Sequence, residues 1–445
     1  MVNSRQVAFL ALKDIDQHQA YTDIALDRVF HHHSLNSQDR GLTCELVYGI
    51  VRRQRTLDQL INQLGKKKAH QQPPDLRLIL QIGLYQLRYL DQIPPSAAVN
   101  TTVELAKYNG FKSLTGVVNG ILRTYLRLSE NNTDILQLPD NIIQKLGVLY
   151  SYPDWLISSW IDQFGIEETE KLCIYFNTPA PLDLRVNLLK ASVDQVKSAL
   201  ETEDLKVSTV SELPQALRLT GKVGSIEKLP GFAEGWWMIQ DSSAQLVTHL
   251  LDPQPGETII DACAAPGGKT CHIAELMGDR GIVWGCDRYL SRLKKLEKNI
   301  ERLELKSIRI LTGDSRELSQ FNHSADRVLL DVPCSGLGTL HKRPDLRWKQ
   351  TPAKIKAITQ LQKELLQETA NWVKSGGILV YATCTINLIE NEAIIETFLA
   401  QNPAWKIVSP SLSWLNIYTT KTGALKVLPP DHEMDGFFMV KLQHN

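Results

Sequence analysis

Between Ile259 and Thr270 the chain runs Ile259-Ile260-Asp261-Ala262-Cys263-Ala264-Ala265-Pro266-Gly267-Gly268-Lys269-Thr270, and few folds accommodate that order of residues. An apolar run from Thr258 to Ile260 stops at a turn of small residues with two glycines, and a helical pattern follows from Cys271 to Met277. Strand, glycine turn and helix in direct succession make a βα unit. Its helix N-terminus turns backbone N–H groups and partial positive charge toward a ligand. The next apolar segment, 281–286, ends in Asp287, which lies 20 residues past Gly267. A carboxylate at about that spacing reaches a ribose hydroxyl pair, so the pattern predicts a cradle for a nucleoside-type cofactor. Gly268-Lys269-Thr270 looks like the end of a phosphate-binding loop, but the glycine such a loop needs would fall at Cys263, which excludes it. A glycine turn by itself also occurs in any α/β domain. The residues downstream decide.

From about residue 240 the alternation continues to the end of the chain. Apolar runs predict strands at 257–263, 281–287, 308–313, 326–331 and 377–383, with helices near 268–277, 289–303, 353–374 and 387–401. Strands alternating with helices build a parallel, doubly wound sheet whose ligands lie beyond the carboxyl ends of the strands. The last two runs, 405–408 and 437–442, predict an antiparallel edge.

The front of the chain is different. Residues 1–130 read as wholly helical: Leu76, Ile79, Leu80, Gly83, Leu84 and Leu87 mark one buried face, with Arg77, Gln81 and Arg88 opposite. Pro73-Pro74-Asp75 starts that helix, and Ile93-Pro94-Pro95-Ser96 begins the next, with Ser96 as the expected N-cap. This segment holds 16 Lys and Arg against 11 Asp and Glu, in a chain of formal net charge +0. The excess gathers at Arg52, Arg53, Arg55 and Lys66-Lys67-Lys68, either a solvated surface or a patch for RNA phosphates. His31-His32-His33 reads as a polar loop between helices, not a metal site. Residues 140–235 form a small α+β unit: two helices between Tyr152 and Phe176, a strand at 182–186, a helix at 193–200 capped by Ser192, and short strands near 217–219 and 236–239. The 445 residues thus divide into 1–130, 140–235 and 240–445, in keeping with about 150 residues per domain.

Composition narrows the setting. With 43% hydrophobic and 22% charged residues the chain is ordinary for a soluble protein, so any nucleic-acid affinity must come from local patches. The seven cysteines (44, 173, 263, 271, 286, 334, 384) include no C-x-x-C pair. They fit neither a zinc site nor a disulfide framework, and reduced thiols in a cytoplasmic protein are expected, with no metal. The apolar run 7–12 ends at Lys13, too short for a signal sequence, and no run reaches the ~18 residues of a membrane span.

Four predicted strand ends carry polar residues that a core does not need: Asp287, Asp314 in Leu311-Thr312-Gly313-Asp314, Asp331-Val332-Pro333-Cys334, and Thr383-Cys384. One such cysteine alone would read as a small buried hydrophobe. Two at the ligand-binding edge read as chemistry. Carbon 5 of cytosine is a poor nucleophile toward a methyl donor. Attack by a thiolate on carbon 6 makes carbon 5 enamine-like, and loss of the carbon 5 proton after methylation expels the thiol, a covalent route that uses a nucleophile and leaves a second thiol a role in release.

Residues 240–445 resemble the RNA cytosine-carbon-5 methyltransferases of the Sun/Nop2 type. The resemblance rests on Asp261 through Thr270, on Asp331-Val332-Pro333-Cys334-Ser335-Gly336-Leu337-Gly338, on Tyr381-Ala382-Thr383-Cys384-Thr385 and on Asp435-Gly436-Phe437-Phe438. It implies a Rossmann-like α/β domain in which S-adenosylmethionine is held by Cys263, Ala264, Ala265, Pro266, Gly267, Gly268 and Lys269, by Asp287 at the ribose, Asp314 at the adenine, and Asp331. It further implies that Cys384 is the nucleophile and that Cys334 assists product release; in the related DNA enzymes the Pro-Cys cysteine attacks, so the reverse assignment stays open. Residues 1–130 are similar to the NusB fold, an all-α RNA-binding domain, through Arg5-Gln6-Val7-Ala8-Phe9 and Val117-Val118-Asn119-Gly120-Ile121-Leu122-Arg123. A NusB-like front on such a catalytic domain resembles bacterial small-subunit ribosomal RNA methyltransferases, which implies 16S ribosomal RNA, at cytosine 967, as substrate and a monomeric, cytoplasmic enzyme. The loop His341-Lys342-Arg343-Pro344-Asp345-Leu346-Arg347-Trp348 is expected to hold phosphates and stack an unpaired base. The target base must be unpaired or flipped to reach a thiol in a crevice.

Other readings remain at this stage. A nicotinamide-dependent oxidoreductase would use the same glycine turn, but the turn lacks G-x-G-x-x-G and both strand-end cysteines would be idle. A non-enzymatic RNA-binding factor would use only the front domain and need no thiols. Within the methyltransferase reading, transfer RNA is the alternative substrate.

Overall fold

A computed structural model of the chain describes residues 3–130, 134–221 and 223–445. It divides into two compact units, one of residues 1–178 with 340–349 and the other of residues 179–339 with 350–445.

The first unit is helical. Its helices Ser4–His18 and Ser37–Leu64 are started by Asn3 and Asn36, whose side chains accept the N–H of Gln6 and Asp39. The helix Pro74–Tyr89 begins at the predicted proline pair and buries Leu76, Ile79, Leu80, Gly83 and Leu84. Ser96 does not cap the next helix. That helix starts one residue earlier, at Pro95, because the fixed φ of proline suits the first helical position. His31 and His32 belong to the last turn of the helix Thr22–His32 and not to a loop.

The segment 340–349 is a strap built into this helical unit, and its chemistry differs from the sequence expectation. Arg347 is fully buried, lies 4.0 Å from the centroid of the Tyr152 ring and donates to the carbonyls of Ser151 and Arg52 and to Asn177 Oδ1. Trp348 Nε1 donates to the Val51 carbonyl at 2.7 Å, and Asp345 accepts the N–H of Thr22 at 3.2 Å. His341 is buried and stacks on Phe176 with its carbonyl accepting from Arg52. Arg347 and Trp348 are therefore structural anchors, not a phosphate and base grip; the buried guanidinium spends its terminal N–H groups on carbonyls and on Asn177, where RNA could not reach. The basic cluster splits in the same way. Arg52 is committed to the strap, Arg55 to Asp154 and the Tyr152 carbonyl, and Arg53 to the Tyr89 ring, while Lys66, Lys67 and Lys68 are exposed.

In the second unit, β1 (Leu182–Val186), β2 (Lys206–Thr209), β3 (Ala216–Thr220) and β4 (Trp237–Ile239) form an antiparallel sheet in the order β2-β3-β1-β4. The larger sheet holds β5 (Thr258–Asp261), β6 (Ile282–Asp287), β7 (Ile308–Thr312), β8 (Ala325–Asp331), β9 (Val373–Thr383), β10 (Trp405–Ile407), β11 (Leu425–Val427) and β12 (Phe437–His444). Its order is β10-β12-β9-β8-β5-β6-β7 with β11 on β12; β5 to β9 run parallel and β10, β11 and β12 pair antiparallel. The run Ile259-Ile260 lacks alternation because both faces of a central parallel strand are covered by helices. Ile259, Val283, Leu329 and Val380 join one core, and Ile260, Val328, Leu330 and Leu379 the other, as the two-residue period of a strand requires. Among the described residues no helix is long and apolar enough to cross a membrane.

Candidate active site

The carboxyl ends of five parallel strands meet at one edge of the large sheet. β8 and β9 are neighbours in register, with Asp331 opposite Ala382. Cys334 lies three residues past one partner and Cys384 two past the other, so the two turns that leave the sheet carry their thiols side by side. The sulfurs are 3.2 Å apart, one thiol donating to the other.

The Asp435-Gly436-Phe437 stretch closes the same corner. Gly338 N donates to the Cys384 carbonyl at 3.0 Å, and Gly436 N donates to the Gly338 carbonyl at 2.7 Å. A Cβ on Gly338 would run into the Gly436 carbonyl oxygen. Backbone contact at this range tolerates no side chain, which explains glycines at both positions.

The glycine turn folds as the sequence predicted. Gly267 has φ +106°, in the region where only glycine is relaxed, and precedes the helix Gly268–Leu276, which has no side-chain cap. Ala264 N donates to the Cys286 carbonyl, and Arg292 donates to the Ala265 carbonyl, across the Ala265–Pro266 bond, which is cis. Asp261, at the end of β5, accepts from Thr270 Oγ1 at 2.7 Å and from Cys263 N. Burial, assisted by the charge of Asp331, pushes its carboxyl up to about 7. Burial also drives the Cys263 thiol well above the ordinary thiol range, with Asp261, Asp331 and Asp287 adding to it. Asp287 is buried at the end of β6, where it accepts the N–H of Tyr289 at 2.9 Å and pairs with Arg292. Asp314 is gripped on both oxygens by Arg316, whose hydrogen bonds hold its carboxyl down at about 2.

Charge is distributed unevenly around the thiols. Lys269 Nζ donates to Asp331 Oδ2 at 2.7 Å and lies 5.1 Å from the Phe437 ring centroid. Burial works hardest against its charge, but the pull of Asp331, joined by Cys384 and Asp261, holds the ammonium above the ordinary lysine range. The Cys334 thiol is pushed well above its ordinary range by its hydrogen bond with Cys384, then by burial, then by the charges of Cys384, Glu390 and Asp331. The Lys269 ammonium thus interacts with Cys384, and the charges of Glu390 and Asp331 oppose a thiolate at Cys334.

The structure therefore brings together Asp261, Cys263, Lys269, Asp331, Cys334 and Cys384, with Asp287 on the next strand and Asp314 turned into its own arginine clamp. The uncapped helix start, the small residues 262–265 and the buried Asp287 carboxylate suit an adenosine-type cofactor: N–H donors at one end, a diol acceptor at the other. Sequence reasoning missed two buried polar groups here. Arg185, on β1, donates to the Gly268 carbonyl at 2.6 Å and to both oxygens of Glu275, and Glu390 receives Ser335. Each sits in a stretch whose pattern alone reads as a polar surface position.

The chain is similar to known proteins over its whole length. Residues 248–443 match the family described as 16S rRNA methyltransferase RsmB/F, residues 2–127 match the NusB family, and residues 152–225 match the ferredoxin-like domain of RsmF/B-like methyltransferases. A probable ribosomal RNA small subunit methyltransferase B of Synechocystis is 53% identical, with all of both chains covered. One of Bacillus subtilis is 35% identical over 99% of this chain and 98% of its own. A solved methyltransferase homologue from Pyrococcus horikoshii is 28% identical with a TM-score of 0.61, over 69% of this chain and all of the other.

Proposed function

Since the chain belongs to the RsmB/F family of 16S rRNA methyltransferases, we propose that it methylates carbon 5 of a cytosine in 16S ribosomal RNA, cytosine 967, through a covalent adduct on Cys384. The observation that supports this best is the pair of sulfurs 3.2 Å apart just past the ends of adjacent parallel strands, with Lys269 beside Cys384 and carboxylates opposing charge on Cys334. S-adenosylmethionine, when bound, supplies an electrophilic methyl group. The residues that would hold it are Cys263 to Lys269, with Asp287 for the ribose hydroxyls, Asp314 for the adenine and Asp331 beside Lys269.

The thiolate of Cys384 adds to carbon 6 of the target cytosine, forming a carbon–sulfur bond and leaving carbon 5 electron-rich enough to accept a methyl group. Water takes the proton from carbon 5, while the Cys334 thiol, which stays protonated, offers its hydrogen bond to the departing Cys384 sulfur. The electrons left behind re-form the ring double bond, the carbon–sulfur bond breaks, and Cys384 leaves as a thiolate. One proton is released per methyl transferred, as the exchange of hydrogen for methyl demands. The exposed Lys66, Lys67 and Lys68 of the NusB-like unit supply positive charge for RNA phosphates.

The test is methyl transfer from labelled S-adenosylmethionine to unmodified small-subunit ribosomal RNA, with the modified base located by bisulfite sequencing. A single modified cytosine at 967 is expected, with Cys384→Ala inactive but still binding cofactor. Cys334→Ala should accumulate a protein–RNA adduct. Turnover by Cys384→Ala would overturn the assignment of the nucleophile, and transfer to transfer RNA alone would overturn the substrate.

A further inference from the structure

Neither thiol lies within the sheet. Both sit on turns beyond the strand ends, where β-ladder hydrogen bonds no longer dictate position, so something else must set their 3.2 Å contact.

The residue after each thiol points to it. Ser335 follows Cys334 and Thr385 follows Cys384, and their hydroxyls are 3.0 Å apart. Glu390, fully buried in the short helical turn Leu388–Glu390, receives both. Ser335 donates to it from its N–H at 2.8 Å and from its hydroxyl at 2.5 Å, and the Thr385 hydroxyl approaches at 3.4 Å. Gln362 donates to the same carboxylate at 3.2 Å and to the Pro333 carbonyl at 3.0 Å, bracketing Cys334 from the other side. The neighbouring Asn391 brackets Cys384, accepting from Thr383 Oγ1 at 2.6 Å and donating to the Thr385 carbonyl at 2.9 Å.

We infer that Glu390 is a positioning residue that locks the turns of Cys334 and Cys384 to one another and so sets the distance between the two sulfurs. A buried carboxylate is costly unless donors surround it, and here every donor comes from, or braces, one of the thiol turns. Its negative charge also faces Cys334, where it opposes a second thiolate. The inference rests on the reading that Cys334 and Cys384 are the reacting pair, but its central claim is geometric and can be measured without turnover.

Glu390→Gln keeps the size and removes the charge, placing an amide N–H₂ where Ser335 needs an acceptor. Folded Glu390→Gln, checked by its melting curve and its affinity for S-adenosylmethionine, is expected to lose about 100-fold in kcat with KM for RNA nearly unchanged, the scale of a small misplacement of reacting groups. Independently of catalysis, diamide oxidation followed by peptide mass mapping reads the rate at which Cys334 and Cys384 join in a disulfide. That rate should fall about 10-fold in the variant, and Glu390→Asp should lie between variant and wild type. An unchanged disulfide rate in folded Glu390→Gln overturns the inference. Should Glu390→Gln fail to fold, Ser335→Ala is judged by the same two readouts and the same criterion. If Cys384→Ala retained activity, the covalent reading would fail while the disulfide rate still decided the role of Glu390.

Discussion

Arg185→Met tests the idea that the small antiparallel sheet braces the cofactor turn. The Arg185 side chain is 0% exposed and that of Glu275 is 3% exposed, so their 2.6 Å ion pair is shielded from solvent. Arg185 also donates to the Gly268 carbonyl at 2.6 Å and to Gln240 Oε1. Methionine fills much of the volume but leaves Glu275 as an uncompensated buried carboxylate, which costs about 3–5 kcal/mol. Burial already pushes the Glu275 carboxyl above its ordinary value of 4.5, and Arg185 opposes that; without the arginine it rises further. A carboxyl raised in the folded state stabilises below its unfolded pKa and loses that contribution as pH climbs through the folded one. The loss in Arg185→Met should therefore be larger near pH 8 than near pH 5. Urea unfolding at both pH values measures it, and calorimetric titration should show S-adenosylmethionine binding weakened about 10-fold, or ~1.4 kcal/mol. Arg185→Met with Glu275→Leu should recover most of the stability, because an apolar pair of similar volume replaces a buried ion pair at little cost. A loss below about 1 kcal/mol for the single variant, or a double variant no better than the single, would refute the reasoning.

Three further outcomes follow from the geometry. Asp261, with its carboxyl at about 7 against an ordinary 3.8, contributes stability that is present below the ordinary value and disappears as pH rises through about 7; Asp261→Asn should flatten that part of the melting temperature profile against pH. Gly338→Ala should destabilise by about 1–3 kcal/mol and reduce methyl transfer, since its methyl group meets the Gly436 carbonyl; an unchanged melting temperature would contradict the packing described. Arg347→Ala strands the carbonyls of Ser151 and Arg52 without their donor, at about 1–3 kcal/mol for each group left unpaired. Limited proteolysis should then cut within 340–349 faster, and equal protection would show that the strap is held by other contacts.

Most strands and helices from residue 182 onward were legible because each signal is local, although the helix Ser242–Leu251 was not foreseen. Continuous apolar runs, a glycine turn and the capping residue Ser192 act over a few neighbours and need no partner from elsewhere, and the helix 193–201 does begin at that cap. Convergence of the strand ends was legible for the same reason: a parallel sheet puts every carboxyl end on one edge, so Asp287, Asp331, Cys334 and Cys384 were bound to meet there. What a side chain meets at long range was not. Arg347 and Trp348 read as a basic, aromatic RNA grip, yet they are consumed by carbonyls nearly two hundred and three hundred positions away in the chain. Short strands such as β2 and β11 escaped notice because four or three residues carry too little periodicity to stand out. Nothing local distinguishes Glu390 or Arg185 from an ordinary surface charge. Only the tertiary structure decided that they are buried, because burial of a charge depends on donors and acceptors assembled from distant segments, and no local pattern records that assembly.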